Sequence, residues 1–281
     1  MARTVVVGVE GTESSGDALV WAAQEAAARY DELEIVYATG ARYAALDPAR
    51  DDDVTRQAEM LLGDATESAL RVEPDLTIRR TISPSAPGVA LTEASERATL
   101  VVVGCRPLGA VERVFAGSLA YQVVAGSHCP VLVVPRATGT RGSGVVVGVD
   151  ASEDSIAVVA HAAEEADRLG HELTVVHAWK EPMADAVLGN ALDSYDEVVE
   201  EGERVVLAES LAGLGERYPD LIINRHLVHR QPAEALLDLA RTARLLVVGS
   251  RGRHGVARML LGSVSHTIVV HAPCPVLVVR P

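Results

Sequence analysis

The feature that most constrains this chain is an internal repeat. Residues 4–38, which begin "TVVVGVEGTESSGDALVW", return as residues 144–178, which begin "GVVVGVDASEDSIAVVAH". Residues 99–134 return as residues 244–279, and both of these segments end in "CPVLVV". Self-similarity over such lengths indicates that one folding unit is present twice. We therefore predict two homologous domains in tandem.

The join between the two copies falls in "RATGTRGSG", a short segment whose Gly, Thr and Ser content is typical of a linker. This places the domains at residues 1–138 and 139–281. A chain of 281 residues that is 48% hydrophobic is long enough for two cores.

Each copy has the pattern of an α/β fold. "TVVVGV" and "ELTVVHA" are β-branched runs without alternation, which is typical of strands buried on both faces of a parallel sheet. "GDALVWAAQEAAARY" and "AEALLDLARTAR" have the apolar spacing of amphipathic helices. Strands alternating with helices predict an open, doubly wound sheet whose ligands lie beyond the carboxyl ends of the strands. Residues 43–71 fit less well and predict an acidic loop followed by a helix from about Val54.

Charge and composition exclude several classes of protein. The net charge of −14 disfavours nucleic acid and anionic lipid as main partners. No apolar stretch approaches a membrane span, and the amino-terminal run is too short for a signal peptide. Cys105, Cys129 and Cys274 are too few and too widely spaced for a disulfide framework or a thiolate metal site, so we expect a cytoplasmic protein.

A glycine-rich loop is the main candidate site. In "VVGSRGRHGVARMLLGSVSH", Gly249 ends a predicted strand, Gly252 and Gly255 lie in the loop, and Gly262 and Ser263 begin the next helix. Glycines let backbone N–H groups approach a ligand, and helix amino termini favour anions, so a phosphate group suits the loop. Tight turns that need glycine for structural reasons alone are the alternative.

The first copy keeps part of this loop in "GCRPLGAVERVFAGS", which retains Gly104, Arg106, Gly117 and Ser118 at the same spacing. The first strand of each copy also ends in a carboxylate, Glu10 or Asp150. Such a carboxylate can accept a hydrogen bond from an exocyclic amine such as that of adenine; a helix N-cap is the alternative.

Together, the duplicated "GVD" strand end, "AEALL" before "LLVVGSRG", the G-x2-G-x9-G-S spacing and the closing "CPVLVV" resemble the universal stress protein family in its tandem form. The resemblance implies two Rossmann-like, adenine nucleotide alpha hydrolase-like domains, each with five parallel strands. It also implies bound ATP at the carboxyl ends of the strands and a homodimer, including pairing through last strands. By the same resemblance Asp150 meets adenine and the backbone of Ala178 lines the base pocket. Ribose and phosphates would be surrounded by Gly249, Gly252, Gly262, Ser263 and Val264.

Further positions complete the candidate set. Arg251 and Arg253 are not part of the resemblance; we predict from their charge and position that they pair with the phosphates. The alternative is that both are solvated surface arginines. In the second copy Gly148 and Gly255 flank the site, and the first-copy counterparts are Gly8, Glu10, Ala38, Gly104, Arg106, Gly109, Gly117, Ser118 and Leu119.

The first copy departs from the ATP-binding pattern at two positions. Glu10 replaces the aspartate, and Pro107 stands where the second copy has Gly252. Proline has no N–H to donate and cannot adopt positive φ. We therefore predict that the second domain binds ATP more tightly than the first.

Signs of catalysis or of a metal site are weak. Ser263 and His266 could pair on the predicted helix, but Ser263 is not in a nucleophile elbow. His226 and His229 have an odd spacing, which places them on opposite faces of a strand and disfavours zinc. Residues 51–53 are three aspartates, which suit a solvated loop or a helix amino terminus better than a metal site. Mg²⁺ could accompany ATP with help from Ser263.

The sequence therefore predicts a nucleotide-dependent regulator or sensor with an unknown protein partner. Two alternatives stay open: a slow ATPase or nucleotide-dependent transferase, and an interaction module without a ligand in which the glycines are only turns.

Overall fold

The structure is a computed structural model and describes residues 3–40, 48–105, 119–136, 142–150, 152–179, 193–252 and 261–280. The chain divides into two compact units. Unit 1 comprises Met1–Thr140 with Pro275–Val278, and unit 2 comprises Arg141–Cys274 with Val279–Pro281.

Unit 1 is a parallel sheet flanked by helices, with the strand order β3-β2-β1-β4-β5. Its strands are β1 (Thr4–Gly8), β2 (Glu32–Ala38), β3 (Ile78–Ser83), β4 (Leu100–Cys105) and β5 (Val131–Pro135). Its helices are α1 (Glu13–Arg29), α2 (Pro48–Val72), α3 (Pro87–Ser95) and α4 (Leu119–Gly126). The last strand of the chain, β10 (Val276–Val279), pairs antiparallel with β5, with Val276 opposite Val133.

Unit 2 has the equivalent strand order with one parallel strand fewer, β9-β6-β7-β8, and all three pairings are parallel. Its strands are β6 (Val145–Val149), β7 (Leu173–Trp179), β8 (Ile223–His229) and β9 (Leu245–Gly249). Its helices are α5 (Glu153–Leu169), α6 (Asp193–Glu209), α7 (Leu214–Arg217), α8 (Pro232–Ala240) and α9 (Ser263–His271).

The central strands are buried on both faces, as their unbroken apolar runs predict. Val5, Val6 and Val7 of β1 are fully buried, and Val145 and Val147 of β6 are as well. Because neighbouring strands within each unit's parallel sheet run in the same direction, successive strands are connected by helices that cross back over the sheet. The predicted fold class, α/β with mostly parallel sheets flanked by helices, is confirmed. Among the residues that the structure describes, the predicted five parallel strands per domain are found in unit 1 only, because β10 pairs antiparallel with β5 and belongs to unit 1.

Helix ends follow local capping chemistry. Thr12 caps α1, with its side chain accepting from the Ser15 N–H, and the Ser15 hydroxyl in turn accepts from the Thr12 N–H. Both α1 and α5 end in a left-handed residue, Tyr30 and Gly170 respectively.

One predicted boundary is wrong. The second helix of unit 1 begins at Pro48 rather than near Val54, so residues 51–53 lie inside α2 and not in a loop. Proline is favoured in the first turn of a helix because its missing N–H is not needed there. Asp53 forms an exposed ion pair with Arg56, 2.8 Å apart, one turn along the helix.

Candidate functional site

The candidate site of unit 2 lies where the strand order reverses. From β6 the chain passes to β7 and β8 on one side, while β9 lies on the other side of β6. The register sets Val147 beside Val247 and Val149 beside His177, so Asp150, Ala178 and Gly249 all lie at the carboxyl ends of adjacent strands. In open α/β sheets this reversal point is where ligands bind.

Asp150 is held by the start of the following helix. Its Oδ1 accepts from the N–H and the hydroxyl of Ser152, at 3.1 and 2.6 Å, and from the hydroxyl of Ser155 at 2.9 Å. The N-cap of α5 is Ser152 and that of α1 is Thr12, so neither Asp150 nor Glu10 is itself the capping residue. The Asp150 carboxylate therefore has a fixed orientation.

Gly252 lies directly against this carboxylate. A Cβ built on Gly252 would stand 2.2 Å from Asp150 Oδ2, a distance that no side chain tolerates. The glycine loop and the strand-end carboxylate are therefore in contact, and only glycine fits this position while Asp150 keeps its orientation. Arg251, beside it, is exposed to solvent.

The amino end of α9 lies next to the same loop. Gly262 is its N-cap residue, and its N–H donates to the Ser250 carbonyl at 2.9 Å. The buried Ser265 hydroxyl also donates to the Ser250 carbonyl, at 3.0 Å, and fixes the helix to the end of β9. Because Gly262 has no side chain, it cannot cap the first-turn N–H groups, which begin at the exposed Ser263 and continue with Val264. Such amides favour an anion.

Three glycines of the candidate set have a packing role in the structure. A Cβ on Gly148 would stand 2.8 Å from Leu236 of α8, and one on Gly8 would stand 2.9 Å from Leu91 of α3. Both positions let a helix pack closely on the first strand of its unit. Gly104 similarly passes the backbone of Ser14, whose carbonyl oxygen would be 2.4 Å from a Cβ.

Unit 1 has the same reversal point between β1 and β4. Glu10 there is exposed and accepts from the Thr12 hydroxyl at 3.0 Å. Ala38 ends β2 and Leu119 begins α4. Several candidates lie outside the described residues. They are Arg253 and Gly255 of unit 2 and Arg106, Gly109, Gly117 and Ser118 of unit 1.

Two side-chain pairs beside the unit 2 site were not anticipated. His177 bonds the Val149 carbonyl and the Glu203 carboxylate, and the Trp179 and His229 rings stack with centroids 4.3 Å apart. His177 and Trp179 stand on β7 on either side of Ala178, and the register pairs Trp179 with His229. The sequence signal for the first pair is the histidine within the apolar run "LTVVHAW", because a polar residue in a buried strand needs a hydrogen-bond partner.

The three cysteine side chains are buried or partly buried. Cys129 and Cys274 are buried, as expected for cysteines that pack as small apolar groups. Burial raises the pKa of the Cys274 thiol to about 12 and also raises the pKa of Cys129 and Cys105. Among the described residues, no group of three or more His, Cys, Asp or Glu is placed to hold a metal ion. Within the same ranges, no helix has the length and apolar character needed to cross a membrane.

These features define a Rossmann-like α/β protein with a glycine-bounded site at the sheet reversal. The universal stress protein family model matches residues 1–135 and again residues 144–280. A universal stress protein of Mycobacterium tuberculosis is 35% identical, over 98% of this chain and 96% of its own length. One of Mycolicibacterium smegmatis is 34% identical, over 99% and 97% respectively. The chain belongs to the universal stress protein family and carries its domain twice, as the sequence motifs predict.

Solved structures agree on the fold. A universal stress protein from Archaeoglobus fulgidus matches with a TM-score of 0.71 at 20% identity and covers 100% of this chain and 99% of its own. A protein of unknown function from Pseudomonas aeruginosa matches with a TM-score of 0.68 at 17% identity, covering 100% and 93%. At these identities the likeness concerns the fold alone.

Proposed function

We propose that unit 2 binds ATP at the reversal point of its sheet and that the protein is a nucleotide-dependent regulator or sensor of a stress response. The observation that carries this proposal is the convergence of the Asp150 carboxylate, the backbone at Gly252 and the amino end of α9. Family membership supports it, because the residues that meet here are those on which the resemblance to the ATP-binding pattern rests.

The chemistry of each part suits one portion of ATP. A carboxylate fixed at a strand end can accept the exocyclic amine of adenine, and Ala178 on the next strand end offers backbone at the same edge. The first-turn amides of α9, at Ser263 and Val264, suit phosphate oxygens. Arg251 supplies positive charge in a chain whose net charge of −14 would otherwise repel a polyanion.

The first experiment identifies the nucleotide and tests the contact with Gly252. Purified protein is denatured, and any released nucleotide is identified by mass spectrometry; ATP is then titrated calorimetrically into the emptied full chain. We expect Gly252→Ala to weaken ATP binding at least about tenfold, because the new methyl must displace the Asp150 carboxylate.

The matched control is Gly202→Ala in α6, where a Cβ meets nothing within 4 Å. It should leave ATP affinity unchanged. Absence of ATP binding by the wild-type chain, with no rise in melting temperature at millimolar ATP, would instead favour an interaction module without a ligand. Steady phosphate release that Gly252→Ala abolishes would favour a slow ATPase.

The proposal extends to location and assembly. All three cysteines are thiols in the structure, which suits a reducing cytoplasm. We propose a homodimer that transmits nucleotide occupancy to a protein partner. Light scattering of the purified chain, with and without ATP, tests the dimer directly.

A further inference from the structure

His177 is a buried histidine with both ring nitrogens engaged. It lies at the end of β7 and is 3% exposed. Its Nδ1 is 2.9 Å from the Val149 carbonyl oxygen, and its Nε2 is 2.5 Å from Oε2 of Glu203 on α6. The Glu203 side chain is 21% exposed, so the Nε2–Oε2 contact is largely shielded from water.

The proton positions follow from the partners. A carbonyl oxygen can only accept, so Nδ1 carries a hydrogen and donates it to Val149. The other ring nitrogen, Nε2, faces Oε2 of Glu203 at hydrogen-bond distance. The Glu203 carboxyl thus fixes the orientation of the ring, as a carboxylate does for a metal-bound histidine.

The bond to Val149 matters because the peptide that contains this carbonyl leads into Asp150. The N–H of that same peptide, which belongs to Asp150, donates to the Ser155 hydroxyl at 3.2 Å. The peptide plane is therefore held on its carbonyl side by His177 and on its amide side by Ser155. The side chain beyond it is fixed in turn, since the Ser155 hydroxyl also donates to Asp150 Oδ1 at 2.9 Å.

We propose that the His177–Glu203 pair is a positioning device for Asp150 and thereby sets the preference of unit 2 for adenine over other bases. The inference rests on the proposed ATP binding and assigns to Glu203, a residue of α6 outside the candidate site, a role in base selection. His177 acts through the Val149 peptide and Glu203 acts through His177.

Unit 1 holds the equivalent strand end differently. Tyr37 occupies the position of His177, one residue before Ala38. The Ser15 hydroxyl, the counterpart of Ser155, donates to the Thr12 carbonyl at 2.9 Å and accepts from the Thr12 N–H. The positioning pair is thus a property of unit 2, the unit whose strand end carries the aspartate.

The test compares ATP with inosine triphosphate, which has a carbonyl oxygen in place of the exocyclic amine. Binding of each nucleotide to the full chain is measured by calorimetry. Glu203→Ala removes the partner of Nε2 and should weaken ATP binding about fivefold, while binding of inosine triphosphate changes less than about twofold. Melting temperatures without nucleotide verify that the variants fold.

Two further variants separate positioning from general damage. Glu203→Gln should restore ATP binding, because its amide can donate to Nε2 while Nδ1 keeps its hydrogen for Val149. Glu200→Ala is the matched control on α6. Among the described residues Glu200 forms an exposed ion pair with Arg204, 2.6 Å away, and its loss should leave ATP binding unchanged.

Three results would overturn the inference alone. They are ATP binding by Glu203→Ala at the wild-type level, equal losses for the two nucleotides, and equal binding of ATP and inosine triphosphate by the wild-type chain. A wild-type chain that binds neither nucleotide would overturn the proposed function and this inference together.

Discussion

At the scale of single residues, the first helix of each repeat ends in the left-handed conformation, but with a different residue in each repeat. Helix α1 ends at Tyr30 with φ 56°, and the equivalent helix α5 ends at Gly170 with φ 65°. The left-handed region is costly for a residue with a side chain, and Tyr30 is 98% exposed, so little packing offsets that cost.

We predict that Tyr30→Gly stabilises the chain by about 0.5–1 kcal/mol, the left-handed penalty less the greater freedom of glycine in the unfolded chain. Urea unfolding followed by circular dichroism measures the change. The reciprocal substitution Gly170→Tyr should destabilise unit 2 by a similar amount. A lower unfolding midpoint for Tyr30→Gly would show that the exposed ring contributes more than the strain costs.

The sequence predicts candidate residues for the site but not the contacts between them. Asp150, Gly252 and Gly262 were identified from spacing and resemblance, whereas the contact between Asp150 Oδ2 and Gly252 requires the loop to fold back on the strand end. Glu203 was missed because 26 residues separate it from His177, and a glutamate on an amphipathic helix looks like any solvated one.

At the scale of elements, the apolar strands and amphipathic helices were predictable because burial on both faces of a parallel sheet leaves a continuous β-branched run. Polar residues inside such runs were the informative exceptions. Glu34 in "ELEIVYA" is a carboxylate within a strand whose apolar pattern predicts burial. Its partners are Arg79 on β3 and Arg97 in the turn after α3.

Glu34 is fully buried and neutralised by two arginines. Its Oε2 is 2.9 Å from Arg79 Nη2, its Oε1 is 2.8 Å from Arg97 Nη2, and the Thr81 hydroxyl donates to Oε1 at 2.8 Å. The arginines are roughly half exposed, while the Glu34 side chain has no exposure. Loss of either arginine would therefore leave the buried carboxylate with part of its charge uncompensated.

We predict that Arg97→Met lowers the free energy of unfolding by about 2 kcal/mol, because it leaves a buried carboxylate with incomplete compensation. Adding Glu34→Met should recover most of that loss, since the double variant has no buried charge. Arg56→Met, which breaks the exposed pair with Asp53, serves as the control and should cost less than about 0.5 kcal/mol. Equal losses for Arg97→Met and Arg56→Met would contradict the prediction.

At the scale of the whole molecule, duplication produced two similar units with different site chemistry. Unit 2 combines Asp150 with Gly252, and the structure explains the combination: a Cβ at position 252 would stand 2.2 Å from the carboxylate. The first repeat combines Glu10 with Pro107, which lies outside the described residues. A proline carries a Cβ and lacks an N–H. A proline at the position of Gly252 would therefore clash with a carboxylate in the orientation of Asp150.

We predict that the wild-type chain binds about one ATP with high affinity, in unit 2, because loss of a hydrogen bond to a charged group costs about ten- to a hundredfold in affinity. Gly252→Pro should abolish this binding by giving unit 2 the loop residue of unit 1. The paired substitution Glu10→Asp with Pro107→Gly should raise the binding stoichiometry toward about two per chain, whereas Glu10→Asp alone should not, because the proline would remain in the loop.

Calorimetric stoichiometry on the full chain distinguishes these outcomes. Release of about two ATP from the wild-type protein on denaturation would show that the first repeat binds in spite of Pro107, and that the Asp–Gly combination is one of two ways to build the site.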